Sequence, residues 1–255
     1  MHLRSCLTLL AFIAVAVLCR SAHADSDALW KIISTQCVPN EKEYGQSAPC
    51  TVVDLKDGVE KGYVLFKDHT GDTQYLLMPT AKITGIEDPL VLAPGATNYF
   101  ADAWHERHYT VEASKIALPR NATSLAVNSQ YGRSQNQLHI HIDCLRADVR
   151  DALQANLKAV GDKWAPFPAP LAGHRYRAMR VAGEELDGAN PFVLLADGVP
   201  GARAAMGNQT LVVVGETFVD GSPGFVVLDD QLDTAAGDHA SGEELQDHMC
   251  GLAQR

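Results

Sequence analysis

The 255-residue chain lacks a basic stripe: 21 Lys and Arg stand against 31 Asp and Glu, for a net charge of −10. Proteins that grip polyanions cluster their basic residues, so nucleic acid is not expected as a partner. It also lacks an apolar run that spans a bilayer with ease. The stretch from Cys6 to Cys19 falls short of the about 20 residues that a crossing helix needs. No low-complexity linker divides the chain. Cysteine is sparse, at six residues, and its distribution carries more information than its number.

Two cysteines lie in the N-terminal apolar stretch. It follows Met1-His2-Leu3-Arg4 and precedes Arg20-Ser21-Ala22-His23-Ala24, which is a basic region, a hydrophobic core and an Ala-x-Ala processing site. Residues 1–24 are therefore expected to be a signal peptide cleaved after Ala24, with an uncleaved anchor as the alternative. Leu18 before Cys19 argues against a lipoprotein, which needs a small residue there. Loss of Arg4 and Arg20 makes the remainder two charges more negative. Export into an oxidising compartment gives Cys37, Cys50, Cys144 and Cys250 a use as two disulfides, although four cysteines permit three connectivities. Cys37–Cys50 closes a local loop containing Pro39, Gly45 and Pro49 and is preferred, leaving Cys144–Cys250. A chain-entropy model assigns each bridge about 3–5 kcal/mol.

Roughly 230 residues then remain, enough for one large or two small domains. Periodicity and turn residues predict a helix over 27–36 and strands over 62–67 and 74–79, joined by Asp68-His69-Thr70-Gly71-Asp72. A helix over 96–115 carries Tyr99, Phe100, Trp104 and Tyr109 as a core stripe. Strands over 124–128 and 137–144 follow, then a helix over 147–160 with Asp148 and Asp151 near its start. Beyond the proline-rich joint at Trp164, Pro166, Pro168 and Pro170, the pattern reads strand (175–181), strand (192–196), helix (199–206), strand (210–215), strand (224–228). That order repeats the first half. The expectation is an α+β chain of two pseudo-equivalent halves, about 25–163 and 164–255, sharing an antiparallel sheet with flanking helices.

Within the strand over 137–144, Leu138-His139-Ile140-His141-Ile142 alternates with period two. His139 and His141 project from one face, and the aliphatic residues anchor the other, on which Asp143 is also placed. Gly132 and Ser134 lie just upstream in a polar loop able to fold back over the histidines. Three readings stay open on spacing alone. The pair is a polar strand face, a metal-ligand pair or a catalytic pair beside a phosphate-holding loop. A metal site lacks clear third and fourth ligands here, since His105 and His108 are distant in sequence.

The histidine strand resembles the histidine-triad superfamily, whose motif alternates three histidines with apolar residues. Ser134 and Gly132 stand five and seven residues before His139, as in that pattern. The resemblance narrows to bacterial CDP-diacylglycerol pyrophosphatases. Tyr75–Thr80 (YLLMPT), Asn128–Ser129 with Gly132–Arg133, the Gln135-Asn136 pair and His139-Ile140-His141-Ile142-x-Cys144 carry it. Cys37-x-Pro39-Asn40 and Glu244-Leu245-Gln246-Asp247-His248-x-Cys250 extend it across nearly all of the exported chain.

The resemblance implies a histidine-triad-like fold and hydrolysis of CDP-diacylglycerol to CMP and phosphatidate through a histidine–CMP phosphoramidate. His139 matches the nucleophile, His141 a phosphate contact, and Ser134, Asn128, Gly132 and Arg133 the positions around the substrate. Gln137 replaces the first histidine of the triad and Lys82 a histidine that follows the strand of Pro79. Both are assigned to substrate binding. No metal or cofactor is implied. The lipid would be met at a membrane surface, on the periplasmic face of the bacterial inner membrane, by a single chain serving as a pseudo-dimer, with its oligomeric state open. Within the same superfamily, hydrolysis of another nucleotide diphosphate or transfer of CMP to an acceptor is the alternative. An exported metal-binding module is the alternative outside it. Asp247 and His248 are read as cap or surface residues, with an approach to the site through the Cys144–Cys250 disulfide as the alternative, and Trp30, Trp104, Trp164 and Phe167 as core residues that double as candidates for an acyl groove.

Overall fold

The computed structural model describes residues 25–254; the leader expected over residues 1–24, cleaved or retained, lies outside them. Among the described residues no helix is long and apolar enough to cross a membrane. The first segment is a helical arm longer than its apolar spacing suggested. It comprises α1 (Ala28–Ile32), a π turn (Ile33–Cys37) and α2 (Val38–Tyr44). Pro39 lies in the first turn of α2. Proline cannot donate to the preceding turn and its ring crowds that carbonyl, and the wider π turn just before it accommodates the break. Gly45 ends the arm in the left-handed region, its N–H directed at the carbonyls of Asn40 and Glu41.

Three strands follow, β1 (Val52–Asp54), β2 (Tyr63–Lys67) and β3 (Tyr75–Pro79). The single helix expected over 96–115 is divided at Arg107 into α3 (Tyr99–Glu106) and α4 (His108–Ser114). There the Arg107 guanidinium sits 3.9 Å from the centre of the Trp104 ring. Next come β4 (Thr123–Val127), β5 (Ile140–Cys144) and α5 (Ala147–Asn156). The second half contributes β6 (Ala165–Pro166), β7 (Arg177–Ala182), α6 (Pro191–Gly198), β8 (Gln209–Thr217) and β9 (Pro223–Gln231).

Two expectations there are corrected. Residues 192–196 are helical, because Asn190 caps the amide of Phe192 and Pro191 occupies the first turn. A short apolar run cannot be told from a buried helix by periodicity. Residues 199–206 form no regular helix; short 3-10 turns at Ala202–Ala204 and Met206–Asn208 replace it.

All nine strands join one antiparallel sheet in the order β1-β2-β3-β5-β4-β8-β9-β7-β6. The architecture is α+β, and both faces are covered. One face packs under α3 and α6 through Phe100, Trp104, Phe192 and Leu195 against Leu125, Ile140, Ile142, Val213 and Phe225. Gly215 is required there, since a Cβ would lie 2.3 Å from the Trp104 ring. The opposite face carries two separate clusters. Around α5, Val149, Leu153 and Leu157 meet Ala126, Val212 and Val226. Under the helical arm, Ile33, Cys37 and Val38 meet Val64, Leu76 and Met78.

His141 pairs with Leu76 on one side and with Ala126 on the other. It therefore stands on the strip of sheet between those two clusters. Both expected disulfides are formed, with Cα separations of 5.6 Å for Cys37–Cys50 and 5.2 Å for Cys144–Cys250.

Candidate active site

The strip between the clusters opens as a cleft of about 600 Å³. Its floor is His139 and His141, and Ala28, Leu29 and Ile32 of the arm form one wall with Phe66 and Leu76. The polar loop 131–135 and Asn128 with Glu243 form the other. The strand expected from residue 137 begins at Ile140, so His139 sits where the chain enters β5. Its Nδ1 lies 2.7 Å from the carbonyl of Gln137. A carbonyl only accepts, so Nδ1 carries the proton and Nε2 keeps its lone pair. Burial pushes the His139 pKa down, which keeps the ring neutral.

The His141 ring stands edge-on to His139, with centroids 4.9 Å apart. The amide Nε2 of Gln74 lies 2.9 Å from His141 Nδ1 and also donates to Glu243 Oε1 at 3.0 Å. Gln74 thus offers a donor to Nδ1, which places the His141 proton on Nε2. That nitrogen is buried and has no hydrogen-bond partner among the described residues. An orphaned buried donor is expensive, and a ligand oxygen in the cleft would satisfy it. His141 Nδ1 is 3.4 Å from Glu243 Oε1, yet burial outweighs that charge and lowers the pKa to about 3. His141 is thus neutral beside a carboxylate rather than half of an ion pair.

Burial opposes the charge on Glu243, yet its carboxyl is held below its usual range, with hydrogen bonds from Gln74 and Asn128 and the nearby His248 favouring the ionised form. Asn128 donates to Glu243 Oε2 at 3.1 Å and accepts from the Glu243 amide and the Ser241 hydroxyl. Glu243 Oε1 also lies 3.5 Å from His248 Nε2. His248 Nδ1 bonds Asp143 Oδ2 at 2.7 Å, and Asp143 Oδ1 accepts from Thr73 and from the Cys144 amide. The bond to Asp143 raises the His248 pKa, while burial raises that of Asp143. A connected chain thus runs from Asp143 through His248 and Glu243 to His141.

Several sequence expectations meet here. His139, His141, Asn128, Gly132, Arg133 and Ser134 all line the cleft. Arg133, however, directs both terminal nitrogens to Glu87, so its charge is already matched. Gln137 and Lys82 do not line the cleft. The buried Gln137 amide donates to the carbonyls of Pro79 and Ala81, staples β3 to β5, and leaves only its backbone carbonyl for His139. Half-exposed Lys82 lies 3.7 Å from Asp27 and faces the Trp30 ring. His105 faces Glu185 and Asp187 instead, and none of Trp30, Trp104, Trp164 and Phe167 reaches the cleft.

Asp143 corrects a placement. It shares the face of His139 and His141, as strict alternation requires, and it bonds a residue of the same network. Gln74 and Glu243 were not foreseen as site residues. His248 arrives by the route given above as the alternative to a cap or surface role, because Cys144–Cys250 forces the residues before Cys250 against the end of β5. Asp247 N reaches the Cys144 carbonyl, and Gln246 reaches the carbonyls of Ser124 and His141.

Comparison with known proteins covers nearly the whole chain. A family model described as CDP-diacylglycerol pyrophosphatase matches residues 24–254. A Yersinia pestis protein described as CDP-diacylglycerol pyrophosphatase is 41% identical over 244 residues, covering 96% of this chain and 92% of that protein.

Proposed function

The chain belongs to the CDP-diacylglycerol pyrophosphatase family, and from that membership we propose that it cleaves CDP-diacylglycerol to CMP and phosphatidate with His139 as the nucleophile. The observation that carries the assignment is the tautomer pair: His139 is fixed with Nε2 free to attack, beside a His141 Nε2–H that has no other acceptor. Nε2 of His139 attacks the cytidine-side phosphorus. The P–O bond to phosphatidate breaks, and the electron pair leaves on the phosphatidate oxygen. The new P–N bond makes a phosphoramidate, and the Gln137 carbonyl steadies the charge that develops on the ring. Covalent catalysis of this kind splits one difficult displacement into two. His141 Nε2–H and the Ser134 hydroxyl donate to the phosphoryl oxygens as charge spreads onto them. Water then attacks the same phosphorus, the P–N bond breaks with its electron pair returning to Nε2, the water's proton passes to solvent, and CMP leaves with His139 neutral again.

The apolar wall of Leu29, Ile32, Phe66 and Leu76 suits the first carbons of the diacylglycerol part. Leu29 and Ile32 belong to the arm that directly follows residues 1–24, so an exported chain working at the outer face of the inner membrane would present the cleft to lipid. Two disulfides fit that compartment. A histidine-triad-like fold with pseudo-equivalent halves is the reading that best suits the sheet. Outward from the β4–β8 pair the strands run β4-β5-β3-β2 on one side, with β1 added at that edge, and β8-β9-β7-β6 on the other. α3 and α6 sit at matching points between the third and first strands of each set. Superposition of residues 25–163 on 164–255 tests it.

Rapid-quench mass spectrometry should find a CMP adduct on the peptide bearing His139 during turnover. His139→Ala should lower kcat by at least about 10⁴-fold with thermal unfolding near that of the parent. Turnover within tenfold of the parent would remove His139 from the chemistry. Rates on CDP-alcohols or dinucleotides above those on CDP-diacylglycerol would redirect the substrate.

A further inference from the structure

Behind the wall that holds Glu243, a second polar cluster joins four distant segments. His174 precedes β7, Asp230 ends β9, Asp238 lies in the loop after it, and Glu244 follows Glu243 in the short turn Gly242–Leu245. One ligand atom from each of His174, Asp230 and Asp238 lies within 4.8 Å of the others. His174 Nδ1 is 2.8 Å from Glu244 Oε1 and 3.6 Å from Asp238 Oδ2, and the Tyr176 hydroxyl donates to the same Glu244 oxygen.

The carboxylates are held in a particular way. Asp230 Oδ1 accepts the Gln231 amide at 2.7 Å, and Asp238 Oδ1 accepts the Ala240 amide at 2.8 Å. Each aspartate therefore spends one oxygen on the backbone and keeps the other, Oδ2, for the cluster. Asp230 and Asp238 are each only 6% exposed, and Asp230 Oδ2 faces the cluster with no hydrogen-bond partner assigned among the described residues. No Lys or Arg among the described residues forms an ion pair with any of these three carboxylates. Buried carboxylates are normally paired or bound to a cation.

We propose that His174, Asp230, Asp238 and Glu244 form a site for one divalent cation. Three oxygens and one imidazole nitrogen suit Mn²⁺ or Zn²⁺ better than Ca²⁺, which takes oxygen ligands almost throughout. Binding would exchange the His174–Glu244 hydrogen bond for bonds from both groups to the ion and give Asp230 Oδ2 its missing partner. The ion is structural. Asp238 and Glu244 bracket residues 239–243, where the carbonyls of His239 and Ala240 receive Ser129 and where Glu243 reaches His141. The cation would thus fix one wall of the cleft without touching substrate. The proposal stands independently of the hydrolase reading.

The full chain, stripped with EDTA and dialysed, should bind one MnCl₂- or ZnCl₂-derived ion per chain by calorimetry, with a Tm that climbs with metal concentration. Asp230→Asn should weaken binding at least about tenfold and blunt the Tm response. His174→Ala, at a more exposed position, should do the same with an unchanged circular dichroism spectrum, which guards against misfolding. A His139→Ala/His141→Ala variant should bind as the parent does. Binding lost in that variant but kept in His174→Ala, or no heat and no Tm change with either metal, would overturn the site.

Discussion

At the scale of single residues, the proposed catalysis depends on which ring nitrogen carries a proton. In that mechanism His139 attacks only when neutral, and its pKa lies below the ordinary 6.5 because the ring is buried. Activity should therefore persist as pH falls past the value at which free imidazole is half protonated. The acid limb of kcat/KM is expected below pH 6.5, measured across buffers of constant ionic strength. Glu243→Gln should be a second sensitive change. It puts an amide where Gln74 and Asn128 both donate, so His141 loses its orientation; kcat should fall about 10²-fold with thermal stability largely kept. His248 gives a stability signature. Its pKa is raised by the bond to Asp143. The contribution is thus complete below the unfolded-state pKa and disappears as pH rises through the folded-state value. The urea midpoint difference between the parent and His248→Gln should therefore be largest in mild acid and shrink in alkali.

At the scale of elements, the two disulfides serve different walls. Cys37–Cys50 anchors the arm that lines the apolar side, whereas Cys144–Cys250 seats the segment bearing His248. Removing either should cost about 2–5 kcal/mol. The kinetic effects should separate: Cys37→Ala/Cys50→Ala mainly raises KM for the lipid, and Cys144→Ala/Cys250→Ala mainly lowers kcat. Steady-state kinetics on both variants checks this. The turn between β2 and β3 is equally constrained. Gly71 has φ of +62°, and a Cβ there would lie 2.1 Å from the His248 carbonyl. Gly71→Ala should push His248 away from Asp143 and reproduce the loss of its pH-dependent stabilisation.

At the scale of the whole molecule, the sequence revealed what depends on local pattern. The strand bearing His139 and His141, the cysteine pairing and the α+β class were all legible, because alternation and loop offsets act over a few residues. What was hidden depends on distance in the chain. Glu243 lies about a hundred residues beyond His141, and nothing in its neighbourhood marks it as a partner. Gln137 and Lys82 were read by alignment position, but a buried amide takes the nearest free carbonyls and a lysine seeks water, so neither enters the cleft. The same applies to residues 192–196, whose apolar composition suits strand and helix alike until the Asn190 cap decides.

Glu243 and His248 follow all the strands of the described residues, and the bond that seats His248 spans 106 residues. The histidine strand is made early, yet His141 lacks its Glu243–His248–Asp143 network until the segment behind β9 has been delivered and oxidised onto Cys144. The proposed catalytic competence is thereby timed to the completion of the chain and of its Cys144–Cys250 bond. A nascent or reduced chain would meet the lipid without consuming it.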